Sequence, residues 1–430
     1  MLDVVIQHRI RSSLSYTTFG YISLLCDFLS RKKIPEAGLG KISPADWENL
    51  VDWALCFKVG GLFYREIRSG NFPVELIPID ARNRLREAYR NLATTNTSRF
   101  FDVLIILKAL AENRLPVIEL KGLSLAKKVY GDIALRPMSD VDLLVKEEDL
   151  IRTGRILLTL GYQQYFPSWE RVVKIYHHLP PFTNKNGTMI ELHWNIVAPD
   201  SPIKVDLDGL WERSRLINVD HVEVRAFSPD DLFLYLCIHA GFHLKTGLDL
   251  IPFCDMAGLI KNSTEKIDWQ IVMERATRWG CQKCVYLMLV LVRKLLGAAP
   301  PDIIMLGMEP DDYQSVYFDE ALEQIFNVNP SDRLIRKRID QISQIRKHKG
   351  IKCKILSLSR IAFPSREYMA RIYPVSVSSL KIYLYYLFRL GRFVVHYTTV
   401  LLRWFRHDQS TIKTVHREHR TSAVSEWMFS

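Results

Sequence analysis

Between Met189 and Ile196 the chain alternates without a break. Ile190, Leu192, Trp194 and Ile196 interleave with Met189, Glu191, His193 and Asn195. A period of two puts successive side chains on opposite faces, so this segment must be a strand with one apolar face. Such a strand needs neighbours, and three more segments read as strands: 115–120, 140–145 and a short one at 221–226. The flanking sequence instead follows the helical period. Ser43-Pro44-Ala45-Asp46 is an N-terminal cap with proline at the first helical position, and Trp47, Leu50, Val51 and Leu55 follow it at helical spacing. Residues 78–114 read as one or two helices through Leu85, Tyr89, Leu92, Phe101, Leu104, Ile105, Leu107 and Leu110. A further helix runs from Leu150 to Leu160, with Gly161 placed to end it. Ser228-Pro229-Asp230-Asp231 repeats the cap and opens a second helical region over 229–298.

The expected fold class is therefore α+β, a small mixed β-sheet core flanked by N-terminal and C-terminal helical regions. Five segments follow: a helical region at 1–100, the sheet-bearing core at 101–226, a helical region at 227–365, basic aromatic amphipathic helices at 366–407, and a frayed polar tail at 408–430. Charge is unevenly placed. Residues 331–430 carry 20 Lys and Arg against 6 Asp and Glu, a net of +14, and the rest of the chain nets −3. A basic segment of this kind suits nucleic acid, anionic lipid or an acidic partner, or is a solvated helical face. The aromatic-basic stretch 382–406 either lies on a membrane surface or packs its aromatics on the protein body; packing is the expected outcome. No uncharged apolar run is long enough to span a bilayer, because Arg389 and Arg392 interrupt the best candidate. The N-terminal residues lack a signal-peptide pattern, so a cytoplasmic protein with seven reduced cysteines is expected. Cys281 and Cys284 form a C-x-x-C, but they sit in an apolar helical pattern that makes them small buried hydrophobes rather than zinc ligands.

Asp140-Val141-Asp142 runs straight into Leu143-Leu144-Val145. Two carboxylates at i and i+2 on a strand share a face, and hard oxygen ligands on a rigid surface suit Mg²⁺ with substrate phosphate. Lys121-Gly122 stands where a strand gives way to a helix. There a glycine lets backbone N–H groups approach a phosphate and a lysine adds charge. Glu191 adds a third carboxylate from the alternating strand, and three carboxylates on one small sheet can hold two divalent ions across a triphosphate. Glu191 or His193 could deprotonate an attacking hydroxyl. Arg136 either holds phosphate bidentately or braces Asp140 or Asp142. His239 and His243, one helical turn apart, either pack or face the same cleft.

These segments together resemble the bacterial uncharacterised nucleotidyltransferase family, a branch of the DNA polymerase beta-like superfamily. The resemblance rests on Glu119-Leu120-Lys121-Gly122-Leu123-Ser124-Leu125, then Tyr130, then Arg136-Pro137-Met138-Ser139-Asp140-Val141-Asp142, and on Glu191-Leu192-His193-Trp194. It implies Mg²⁺, with Mn²⁺ as a substitute, held by Asp140, Asp142 and Glu191, and an NTP such as ATP lying over Lys121 and Gly122. The superfamily usually has glycine-serine at that turn, so a hydroxyl is expected from Ser124 or Ser139. The implied reaction moves NMP from an NTP to an acceptor hydroxyl and releases pyrophosphate. The resemblance names no acceptor. Two alternatives stand beside it: a nucleotide-binding regulatory module without turnover, and an RNA-binding or RNA-modifying protein that uses the basic C-terminal quarter.

Overall fold

Apolar alternation produces the sheet where the sequence places it. The computed structural model describes residues 16–31, 39–70, 72–122, 125–164, 176–244, 249–261, 266–326, 363, 366, 369, 379–391 and 423–430. Among them the chain is mixed α+β. The helices are α1 (Tyr16–Ser30), α2 (Pro44–Cys56), α3 (Gly60–Arg68), α4 (Ile79–Glu112), α5 (Leu150–Thr159), α6 (Leu207–Arg213), α7 (Pro229–His243), α8 (Ile251–Lys261), α9 (Trp269–Trp279), α10 (Gln282–Leu296), α11 (Asp302–Met308) and α12 (Ser315–Phe326). The strands are β1 (Ile118–Glu119), β2 (Val141–Leu144), β3 (Phe182–Thr183), β4 (Met189–His193), β5 (Arg215–Val219) and β6 (Val222–Ala226). They form one sheet in the order β3-β4-β2-β1-β6-β5. The β2–β4 and β1–β6 pairs are parallel, and the other three are antiparallel.

Ile118, Leu120, Val141, Leu143, Ile190 and Leu192 are all within the core. Each such side chain contributes roughly 1.5–3 kcal/mol by leaving water. Two strands escape the sequence reading. β3 has only two residues, and β5 (Arg215–Val219) is largely solvent-facing, so neither carries an alternating apolar signal. Residues 79–112 form one unbroken helix, and Phe101 and Ile105, expected on its apolar face, are exposed. That helix instead turns polar groups to the loops beside the sheet. Tyr89 donates to Asp132 at 2.7 Å, and Asn96, fully buried, donates to the carbonyls of Ile133 and Arg136 at 2.5 and 2.8 Å. Thr188 and Asn184 donate to Asp102 at 2.5 and 2.9 Å, which ties the β3–β4 hairpin to the same helix.

The chain divides into two compact units, one comprising 1–164, 169–326 and 425–430, the other 165–168 and 327–424. The described residues of the expected segments 1–100 and 101–226 lie together in the first. So do residues 425–430; of the polar tail expected at 408–430, residues 408–422 lie outside the described residues. Residues 423–428 are helical, Trp427 stacks on Tyr317 at 4.3 Å, and Phe429 stacks on Phe242 at 4.5 Å. Burial of these large apolar groups outweighs the polar composition around them. Trp427→Ala is expected to lower stability by about 3 kcal/mol, read as a shift in the urea midpoint at unchanged m-value; an unshifted midpoint would show that the contact is superficial.

The basic C-terminal quarter lies mostly outside the described residues. Within the second unit a helix covers 382–391, where Leu384 and Leu387 are about two-thirds exposed while Ile382 is buried. These leucines are not packed as the helical spacing suggests. No helix among the described residues is long and apolar enough to cross a membrane. The free cysteines include Cys281 and Cys284, both buried as hydrophobes, with the Cys284 thiol on the carbonyl of Cys237 at 3.4 Å.

Candidate active site

The parallel pairing of β2 with β4 builds the site. Its register sets Asp142 directly beside Glu191 and Leu144 beside His193. Alternation does the rest: Ile190 and Leu192 enter the core, while Glu191 and His193 project from the other face. Asp142, Glu191 and His193 each bring a ligand atom to within 4.8 Å of the others. His193 Nε2 lies 3.4 Å from Asp142 Oδ1 and 3.6 Å from Glu191 Oε2. On the second oxygen of Asp142 stands Lys121 Nζ, at 2.8 Å. Lys121 also reaches His239 Nε2 on α7 at 3.0 Å, and His239 lies against His243 with ring centroids 4.5 Å apart. A cleft of about 1010 Å³ opens over this group; Asp140, Ser139, Arg99 and Tyr235 also line it.

The electrostatics are strongly coupled. Burial pushes the Asp142 carboxyl up, but the charge of Lys121 and the contact with His193 overcome this and hold it well below the usual carboxylate range. Burial works against a charged His193 as well, yet Asp142 and Glu191 prevail and raise it to about 9. His239 is driven the other way, first by burial and then by Lys121, so it stays neutral and accepts from the lysine. His177 falls to about 3, through burial and then the nearby His193. Both ring nitrogens of buried His193 make no hydrogen bond among the described residues, Nε2 standing 3.4 Å from Asp142. Buried polar atoms are rarely left so. Two oxygen donors and one nitrogen donor converging in this way suit a divalent cation, so the residues present fit a metal.

The profile of a family described as an uncharacterised nucleotidyltransferase matches residues 43–297. This span is more than half the chain and contains every residue of the cluster. The chain belongs to this family. It is a nucleotidyltransferase, a phosphorus-group transferase. No curated protein and no solved structure shows a significant match to it.

In this nucleotidyltransferase the residues singled out by sequence separate into groups. Asp142, Glu191, His193, Lys121 and His239 come together, and His243 lines the same cleft. Asp140 precedes β2, half-exposed at the cleft edge, where it accepts from the hydroxyl of Ser139 at 2.8 Å. It is not among the three clustered donors, whose third member is His193. Gly122 has φ +106°, a left-handed conformation that favours glycine, and a side chain there would press on Met138 and Glu119. Ser124 lies outside the described residues. Arg136 is buried, and its guanidinium makes three hydrogen bonds of 2.8–3.1 Å to Asp255 on α8. Its partner is Asp255 and neither Asp140 nor Asp142.

Sequence reasoning missed His177 and His178. They run beside β4, where the amide of Trp194 donates to the carbonyl of His177 at 3.1 Å, and His178 Nδ1 lies 3.7 Å from Glu191. The adjacent histidine pair just before Leu179-Pro180-Pro181 was the available signal.

Proposed function

We propose that this nucleotidyltransferase moves NMP from an NTP, with ATP the first to test, to an acceptor hydroxyl and releases pyrophosphate. The acceptor oxygen forms a bond to the α-phosphorus, the bond from that phosphorus to the bridging oxygen breaks, and the hydroxyl proton passes to a base. What supports the reading is the convergence of Asp142, Glu191 and His193 beside Lys121 in a large cleft of a nucleotidyltransferase family member.

Asp142, Glu191 and His193 would hold a divalent ion, with Asp140 available at the rim. Mg²⁺ or Mn²⁺ bound there supplies charge neutralisation for a triphosphate. Lys121 and the Gly122 turn bind phosphate, as the positive charge at the cleft floor favours. Glu191 orients or accepts the proton of the acceptor hydroxyl; His193, held protonated by its two carboxylates, is poorly suited to that task before a ligand arrives. The imidazole donor favours Mn²⁺ over Mg²⁺. His193→Ala is expected to weaken Mn²⁺ binding at least ~10-fold, measured by calorimetry on the protein without nucleotide, and equal affinity would remove His193 from the ligand set.

Peripheral contact of residues 382–406 with an anionic membrane and a cytoplasmic setting complete the proposal. Exposed Leu384 and Leu387 and the basic C-terminal quarter favour the membrane contact. The deciding experiment for the reaction is incubation with labelled NTPs, a divalent ion and cell lysate, followed by location of the label. Labelled acceptor with stoichiometric pyrophosphate is the expected result. Tight nucleotide binding without pyrophosphate release would instead identify a regulatory module.

A further inference from the structure

Helix α7 is apolar on most of its surface: Leu234, Leu236, Cys237, Ile238 and Ala240 are all buried. Tyr235, His239 and His243 break that pattern. They stand four residues apart, so they share one helix face, and all three line the active-site cleft. The middle one is flanked on both sides. The ring of His239 lies 5.6 Å from that of Tyr235 and 4.5 Å from that of His243, centroid to centroid. Between these neighbours its Nε2 meets Lys121 Nζ at 3.0 Å. Chemistry assigns the roles in that contact. An ammonium has three protons and no lone pair, so Nε2 accepts and the ring proton sits on Nδ1. Burial, and then the charge of Lys121, keep the ring neutral and preserve the accepting lone pair.

Lys121 has a second partner, Asp142 Oδ2 at 2.8 Å. Attraction between two charges is weakly directional, and a lysine is a point charge on a flexible four-carbon stem. Asp142 alone would therefore draw the ammonium in without aiming it. His239 supplies the direction from another element, 118 positions away in sequence. These two contacts do not exhaust three protons, and the Lys121 side chain keeps 15% exposure where it lines the cleft.

We propose that His239 is the positioning residue of Lys121: by accepting from the ammonium, it stops that charge from settling on Asp142 alone and turns its remaining proton toward a phosphate of the NTP. His239 acts through the lysine and touches no phosphate itself. The lone pair that a general base would need is committed to Lys121. The proposal rests on the reading of Lys121 as a phosphate ligand.

The test is a double-mutant cycle, read by calorimetric titration of the full chain with ATP and Mg²⁺ and no acceptor. Lys121→Met is expected to weaken ATP binding at least ~10-fold, as the loss of a charged donor. His239→Leu is expected to weaken it about fivefold alone and less than about twofold in the Lys121→Met background, since a residue that works through the lysine then has nothing to position. His239→Gln keeps an acceptor oxygen at a similar reach and is expected to bind ATP within about twofold of the wild type. Should His239→Leu unfold, His239→Met takes its place in the cycle. An equal loss in both backgrounds would mark His239 as cleft packing and overturn the proposal, as would no loss from His239→Leu. No saturable ATP binding, or binding indifferent to Lys121→Met, would overturn the phosphate reading of Lys121 and the proposal with it. The expected cycle without any pyrophosphate release would count against transfer alone and leave the proposal standing.

Discussion

Asp142→Asn is expected to reduce nucleotide transfer by at least ~10³-fold in kcat/KM, with the fold retained. The substitution keeps the shape of the side chain and removes its charge. Asp142 is 2% exposed, lies in register with Glu191, and is touched by both Lys121 and His193. Every positive group at the centre of the cleft is thus arranged around it. Without that charge the cluster loses an anionic donor, and Lys121 and His193 repel any added cation. Lys121 keeps some exposure to the cleft and can turn to water, so the protein tolerates the change better than it would at a sealed site. Pyrophosphate release measures the first half of the expectation, and circular dichroism with thermal melting measures the second. Transfer above a tenth of the wild-type level in a folded variant would take Asp142 out of the catalytic machinery.

The second large effect concerns Arg136 and Asp255. Asp255→Ala is expected to destabilise the fold by about 3–5 kcal/mol, because it strands a buried guanidinium and a part-buried tyrosine hydroxyl. Both partners of the ion pair are less than a tenth exposed. Asp255 accepts from both Arg136 and Tyr130, so it joins α8 to the two ends of the segment between the Lys121 turn and β2. Arg136→Met together with Asp255→Leu should recover more than half of the loss, since apolar groups of similar volume need no pairing. Arg136→Lys should not, because a single ammonium cannot reproduce the forked contact. Chemical denaturation of the three variants checks this. If Arg136→Lys were as stable as wild type and only raised KM for the NTP, Arg136 would be a phosphate ligand and not a brace.

The strands that were legible in the sequence are those with a one-sided environment. Val141 with Leu143, and Ile190 with Leu192, had to enter a core, so their period of two was visible. The β5 strand faces water on most of its length and left no such trace. The long helix α4 was legible as helix, but the roles of its residues were not. Asn96 and Tyr89 bond to loop atoms some 40 positions away in sequence, and nothing local to them signals it. The same holds at the cleft. Asp142 and Glu191 could be proposed together because their strands and chemistry were each readable. His193 entered as a base instead of as a donor beside them, since the distance between two side chains on neighbouring strands depends on register.

By itself the amino-acid sequence determined the α+β class and the four apolar strand segments, and it put forward Lys121, Asp140, Asp142 and Glu191 as candidates for one site. These follow from local periodicity and from residue types at short spacing. Only the tertiary structure decided that Glu191 pairs with Asp142 in register and that His193 joins them while Asp140 stays at the rim. It also turned Arg136 away to Asp255. The physical reason is common to all of these. Asp142 meets Glu191 across 49 positions of sequence and Arg136 meets Asp255 across 119, and such partners are chosen by strand register and helix packing, which arise only when the whole core closes.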